Sequence, residues 1–75
     1  MNIWATFTYK KISSILKGYG CKYMRTSWSH EIWYNPKDNA VFVVVHHKNE
    51  AMKIETLKSM IEQSKIPEEY FLKMR

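Results

Sequence analysis

The stretch Ser29–His46, SHEIWYNPKDNAVFVVVH, decides the fold. Its second half, AVFVVVH (Ala40–His46), has four valines and a phenylalanine. These residue types fit a pleated, half-buried surface, so this segment reads as a strand. The cluster Asn35, Pro36, Lys37, Asp38, Asn39 is dense in turn formers. Before it, Ser29–Asn35 reads as another strand. A loop at 36–39 pairs Asn35 with Ala40 and sets Ile32 opposite Val43, Trp33 opposite Phe42 and His30 opposite Val45. By parity, Ile32, Tyr34, Val41, Val43 and Val45 share one face, while Trp33, Phe42, Val44 and His46 share the other. The valine-rich face is expected to meet the rest of the protein. The Trp33–Phe42 face is then an exposed apolar patch of the kind that binds a partner.

The hairpin has helical flanks. Ile12, Ile15, Leu16 and Tyr19 recur at helical spacing after Thr8, a good N-cap, so a helix is expected over about residues 9–18. Gly18 and Gly20 end it, Gly20 being the better left-handed cap. Cys21–Arg25 reads as a first strand. Beyond a polar loop, Ile54, Leu57, Met60, Ile61 and Ser64 form a second helical stripe. Pro67 can open a final helical turn, with Glu68 and Glu69 favoured at its start and Tyr70, Phe71 and Met74 docking it. The expectation is one α+β domain over residues 1–75, with residues 1–8 as an N-terminal extension. It has a helix, three antiparallel strands and a helix, the helices lying on one face of the sheet.

The 75 residues carry 12 Lys or Arg and 7 Asp or Glu. All of the excess lies early: Lys10, Lys11, Lys17, Lys22 and Arg25 precede the first acid, Glu31. That asymmetry points to a polyanionic or acidic partner. Hydrophobic residues make up 45%, which argues against disorder. The single cysteine, Cys21, excludes an internal disulfide and reads as a small core residue. No apolar run approaches the roughly 20 residues of a membrane span. The opening MNIWATFT lacks the marks of a signal peptide, so a cytoplasmic protein is expected.

ISSILKGYG (Ile12–Gly20), TSWSHEIWYNP (Thr26–Pro36), AVFVVVH (Ala40–His46), IETLKSMIEQSKI (Ile54–Ile66) and PEEYFLKM (Pro67–Met74), in that order, resemble segments of the HicA-type messenger-RNA interferases, the toxins of HicA–HicB toxin–antitoxin pairs. ISSILKGYG (Ile12–Gly20) is similar to the family's first helix and its glycine end. TSWSHEIWYNP (Thr26–Pro36) is similar to the strand bearing its Gly-Ser-His motif, and AVFVVVH to its third strand. IETLKSMIEQSKI (Ile54–Ile66) and PEEYFLKM (Pro67–Met74) resemble its second helix and tail. Trp28 stands where the motif has glycine, Glu55 replaces the glycine before Thr56, and Lys65 replaces the glycine before Ile66. The resemblance implies a double-stranded-RNA-binding-domain-like fold, cleavage of messenger RNA, and an acidic HicB-like antitoxin. It also implies that His30, preceded by Ser29, is the catalytic histidine.

Imidazole suits this chemistry, since it can take or give a proton near neutral pH. Lys22, Arg25 and Lys53 are candidate phosphate contacts, Lys53 and Lys58 lying at or near the start of the second helix, where free N–H groups favour an anion. Ser29 joins them as an RNA-binding candidate. His46 and His47 are a second histidine pair near the same rim, His46 facing away from His30. No HxxxH or HExxH spacing or cysteine set accompanies them, so neither metal nor cofactor is expected. Two other readings stay open: an RNA-binding module without catalysis, and a protein-interaction adaptor using Trp33 and Phe42.

Overall fold

The computed structural model describes residues 7–45 and 53–74. Helix α1 runs Tyr9–Tyr19, strands β1, β2 and β3 run Lys22–Ser27, His30–Asn35 and Ala40–Val45, and helices α2 and α3 run Ile54–Ser64 and Glu68–Met74. The fold is α+β, with an antiparallel sheet ordered β1-β2-β3.

Local chemistry sets the helix ends. The Thr8 side chain accepts a hydrogen bond from the Lys11 backbone N–H, capping α1. At the other end Gly20 takes φ 106°, a left-handed conformation glycine adopts without the penalty of a Cβ. This turns the Cys21 N–H onto the Leu16 carbonyl and the Gly20 N–H onto that of Lys17. The pair of bonds is a Schellman closure. Pro67 precedes α3, and its carbonyl accepts the Tyr70 N–H.

The β2–β3 register is the one its turn implies: Asn35 pairs with Ala40, Trp33 with Phe42, Ile32 with Val43 and His30 with Val45. The faces are reversed from expectation. Trp33 and Phe42 are 1% exposed and Val44 is fully buried, whereas Val41 is 61% exposed. Trp33 and Phe42, expected to form a partner-binding surface, belong instead to the core with Ile12, Leu16, Leu57, Met60, Ile61, Ile66 and Phe71. The reason is area. An aromatic side chain buries far more surface than a valine, so the helices cover the face with the two large rings. Val41, Val43 and Val45 serve as β-branched strand formers on the open face. His46 and His47 lie outside the described residues.

One core member, Phe7, escapes the helical and strand stripes. Phe7, inside the expected extension, is fully buried. Met74 is instead 45% exposed, so Tyr70 and Phe71 dock α3 without it. Tyr70 meets Tyr19 edge to face, with ring centroids 4.8 Å apart.

Asn35 anchors the β2–β3 turn to α2. Its buried amide donates to the Ser64 carbonyl (2.8 Å) and to Asp38 (3.0 Å), and its Oδ1 accepts from the Lys37 N–H (3.1 Å). Ser64 in turn donates to the Ile61 carbonyl and accepts from the Ile66 N–H. These bonds fix the far end of the strand that begins with His30.

Candidate active site and nucleic-acid interface

Because strand side chains alternate, β2 divides its chemistry between two faces. Glu31, Trp33 and Asn35 point inward, while His30, Ile32 and Tyr34 point to the open face. Residues opposite one another across a ladder share a face. Ser27, opposite His30, and Arg25, opposite Ile32, therefore join His30 on the open side.

Lys22 joins them because of an irregularity. It lies three residues before Arg25, and in a regular strand the two would face opposite ways. The β1 register shifts between Tyr23 and Arg25, an extra residue entering at Met24, so Lys22 pairs with Tyr34 and returns to the open face. Tyr23 stays on the inner side, its ring packed edge to face on Trp33. The open face thus carries Lys22, Arg25, Ser27 and His30 and no carboxylate from its strands. Arg25 is diagonal to His30, roughly 7–8 Å away between backbones. Lys22 is about 13 Å along the sheet. Arg25 can share a phosphate with His30; Lys22 reaches a more distant one.

His30 is exposed at the first position of β2. Glu31 holds the strand from behind. Its buried carboxylate accepts the Tyr9 hydroxyl, 2.6 Å from each oxygen, and the Trp33 indole N–H at 2.9 Å. Burial and the adjacent Glu31 push the Tyr9 phenol up to about 12. These partners tie the start of β2 to α1 directly beneath His30. Nothing in the sequence pattern marks Glu31 as buried, since Tyr9 lies 22 residues away.

The β1–β2 turn consists of Trp28 and Ser29, between the paired Ser27 and His30. Trp28 has φ 60°. Positive φ at the first central position of a two-residue hairpin loop is where glycine is preferred. For another residue this conformation costs about 1–2 kcal/mol. The Trp28 side chain is 94% exposed. Ser29 is exposed beside it.

On the opposite edge, a groove of about 340 Å³ runs between β3 and α2, lined by Val43, Val45, Glu55, Thr56, Ser59, Met60 and Gln63. It brings the first turn of α2 alongside Val45, the residue paired with His30. Lys53, exposed, precedes that turn with extended backbone, and its carbonyl accepts the Leu57 N–H. Cys21 is buried, and that burial pushes its thiol up to about 11, which fits a core residue and not a nucleophile.

The family model for the HicA toxin of bacterial toxin–antitoxin systems matches residues 9–66. The chain belongs to the HicA toxin family. It is thus the toxin of a toxin–antitoxin pair, with a cognate antitoxin as its partner. No curated protein and no solved structure matches it. Among the described residues, no helix is long and apolar enough to cross a membrane. Two departures from the resemblance noted above, Trp28 and Lys65, both sit at positive φ, 60° and 65°. The backbone explains glycine at both places in the family pattern, and this HicA toxin keeps the conformation without it.

Proposed function

We propose that this HicA toxin is a metal-independent endoribonuclease that cleaves messenger RNA, with His30 as its general acid–base catalyst. The observation that carries the reading is the position of His30: exposed, at a strand end, on an open sheet face shared with Arg25. In the proposed reaction His30 takes the proton of the RNA 2′-hydroxyl. The 2′-oxygen attacks the adjacent phosphorus, the bond from phosphorus to the 5′-oxygen breaks, the departing oxygen takes a proton from solvent water, and the His30 imidazolium returns its proton to solvent. The products are a 2′,3′-cyclic phosphate and a 5′-hydroxyl. Arg25 neutralises the scissile phosphate, and Lys22 and Lys53 hold flanking phosphates; Ser29 lies beside the reacting group. Proton transfer from one positioned side chain contributes roughly 10²–10⁴-fold. That scale suits an enzyme that disables messages over minutes. An acidic HicB-like antitoxin silences it by covering this face.

The test is induced expression. The wild-type chain should arrest growth, and His30→Ala, made to the same level and folded, should not. Arrest by both would remove His30 from catalysis. A second reading, an RNA-binding module without catalysis, is favoured by Trp28 at the motif's glycine position. RNA binding by the wild-type chain with no cleavage would select it.

A further inference from the structure

We propose that Trp28 stacks on an unpaired nucleobase next to the phosphate held at His30. This inference rests on the reading of the open face as an RNA site, and it names how that site grips its substrate.

Trp28 combines two features that the fold itself does not use. Its ring is 94% exposed, so it packs no core. Its backbone sits at φ 60°, a conformation unfavourable to a bulky residue, so it does not ease the turn either. Arginine, lysine, asparagine or glycine would serve a solvent-facing turn without the apolar area. The gain must therefore come from something outside the chain that meets a flat aromatic face.

The surroundings say what that is. Trp28 is two residues from His30 and lies at the tip of the hairpin that presents it. The adjoining face carries Arg25 and Lys22 and no strand carboxylate, and Glu31 is turned inward against Tyr9 and Trp33. Among the described residues, the first acid at the rim is Glu55, across the sheet beside Val45. A ring beside cations at the end of a strand has the composition of a single-strand nucleic-acid site, where cations follow the backbone and aromatics take the bases. Stacking at this tip fixes the nucleotide adjoining the scissile bond. Every base has a π-face, so the contact holds RNA without dictating sequence.

The experiment measures binding in the His30→Ala background, which keeps the RNA whole, using a fluorescently labelled unstructured RNA octamer and anisotropy. His30→Ala should bind, and its tryptophan emission should be quenched by an amount that Trp28→Phe removes, which separates exposed Trp28 from the other two tryptophans, Trp4 and Trp33. Adding Trp28→Phe should keep most of the affinity. Adding Trp28→Ala should weaken it about 5- to 150-fold, the scale of one stacked base. Trp28→Gly gives the sharpest readout: thermal stability equal to or above the parent, because the turn relaxes, with affinity lost. A purely structural residue would not move the two in opposite directions. Undiminished affinity in both Trp28→Ala and Trp28→Gly overturns the proposal. So does loss of antitoxin binding, with RNA binding intact, in the same variants. Either result leaves the ribonuclease reading standing, since that is judged by cleavage with His30 present. If the wild-type chain binds but never cleaves while Trp28→Ala still weakens binding, the stacking stands and catalysis falls.

Discussion

The buried carboxylate of Glu31 gives the most demanding test of how His30 is held. Tyr9 reaches it from α1 and Trp33 from the next inward position of β2. A hydrogen bond to a charged group contributes about 1.5–3 kcal/mol net, and Tyr9, being partly exposed, belongs near the lower end. Tyr9→Phe should therefore cost about 1.5–2 kcal/mol. Glu31→Ala removes the same bond and also orphans the Trp33 indole N–H, whose residue is 1% exposed. A buried unsatisfied donor adds about 1–3 kcal/mol, so the loss should be about 3–4 kcal/mol. Against a total of roughly 4–11 kcal/mol for a domain this size, that is a large share. At about 4–8 °C per kcal/mol, Tyr9→Phe should lower Tm by about 6–16 °C and Glu31→Ala by at least about 12 °C. The assay is thermal and urea unfolding followed by circular dichroism, for both single variants and the pair. The double variant should cost little more than Glu31→Ala, giving a coupling energy of about 1 kcal/mol or more. Losses that add to within about 0.5 kcal/mol would refute the claim that Tyr9 and Glu31 act as one unit beneath His30.

Three other outcomes follow from the same geometry. Asn35→Ala leaves the buried Ser64 carbonyl without its 2.8 Å donor, so unfolding measurements should show a loss of about 2–3 kcal/mol with the open face of the sheet intact. Cys21 and Tyr9 have folded pKa values raised by burial to about 11 and about 12, so both favour the folded state in their protonated forms. Their contributions are full below pH 9 and 10 and are lost as pH rises to 11 and 12. Alkylation of folded Cys21 should show a midpoint near pH 11, and a midpoint near 9 would contradict its burial. Arg25→Ala should weaken RNA binding and reduce the slope of log K against log salt by about 0.7, the value for one phosphate on a single strand. An unchanged slope would remove Arg25 from the interface.

Much of this fold is legible in the sequence because local chemistry determines it. Thr8 and Gly20 bound α1, the four-residue loop after Asn35 sets the register of Trp33 with Phe42, and Ile54–Ser64 is a helix of the expected extent. What escapes depends on residues distant in the chain. Counting valines assigns the wrong face to the helices, because buried area and not residue number decides which side is covered. The bulge at Met24 carries no glycine to announce it, yet it brings Lys22 onto the face of Arg25. Glu31 reads as a surface carboxylate until Tyr9 and Trp33 are found to enclose it. His30 itself is legible through the resemblance of its strand to the family motif. Its surroundings are not: strand parity shows that His30 faces outward only once the inward set is known.

The central claim is that His30 performs metal-independent cleavage of RNA. The most direct measurement incubates purified wild-type and His30→Ala chains with a messenger RNA in excess EDTA and identifies the new termini. The account predicts cleavage by the wild type to 2′,3′-cyclic phosphate and 5′-hydroxyl ends, with a rate at least about 100-fold lower for His30→Ala. Equal cleavage by the folded His30→Ala chain, or cleavage abolished by EDTA, would contradict it.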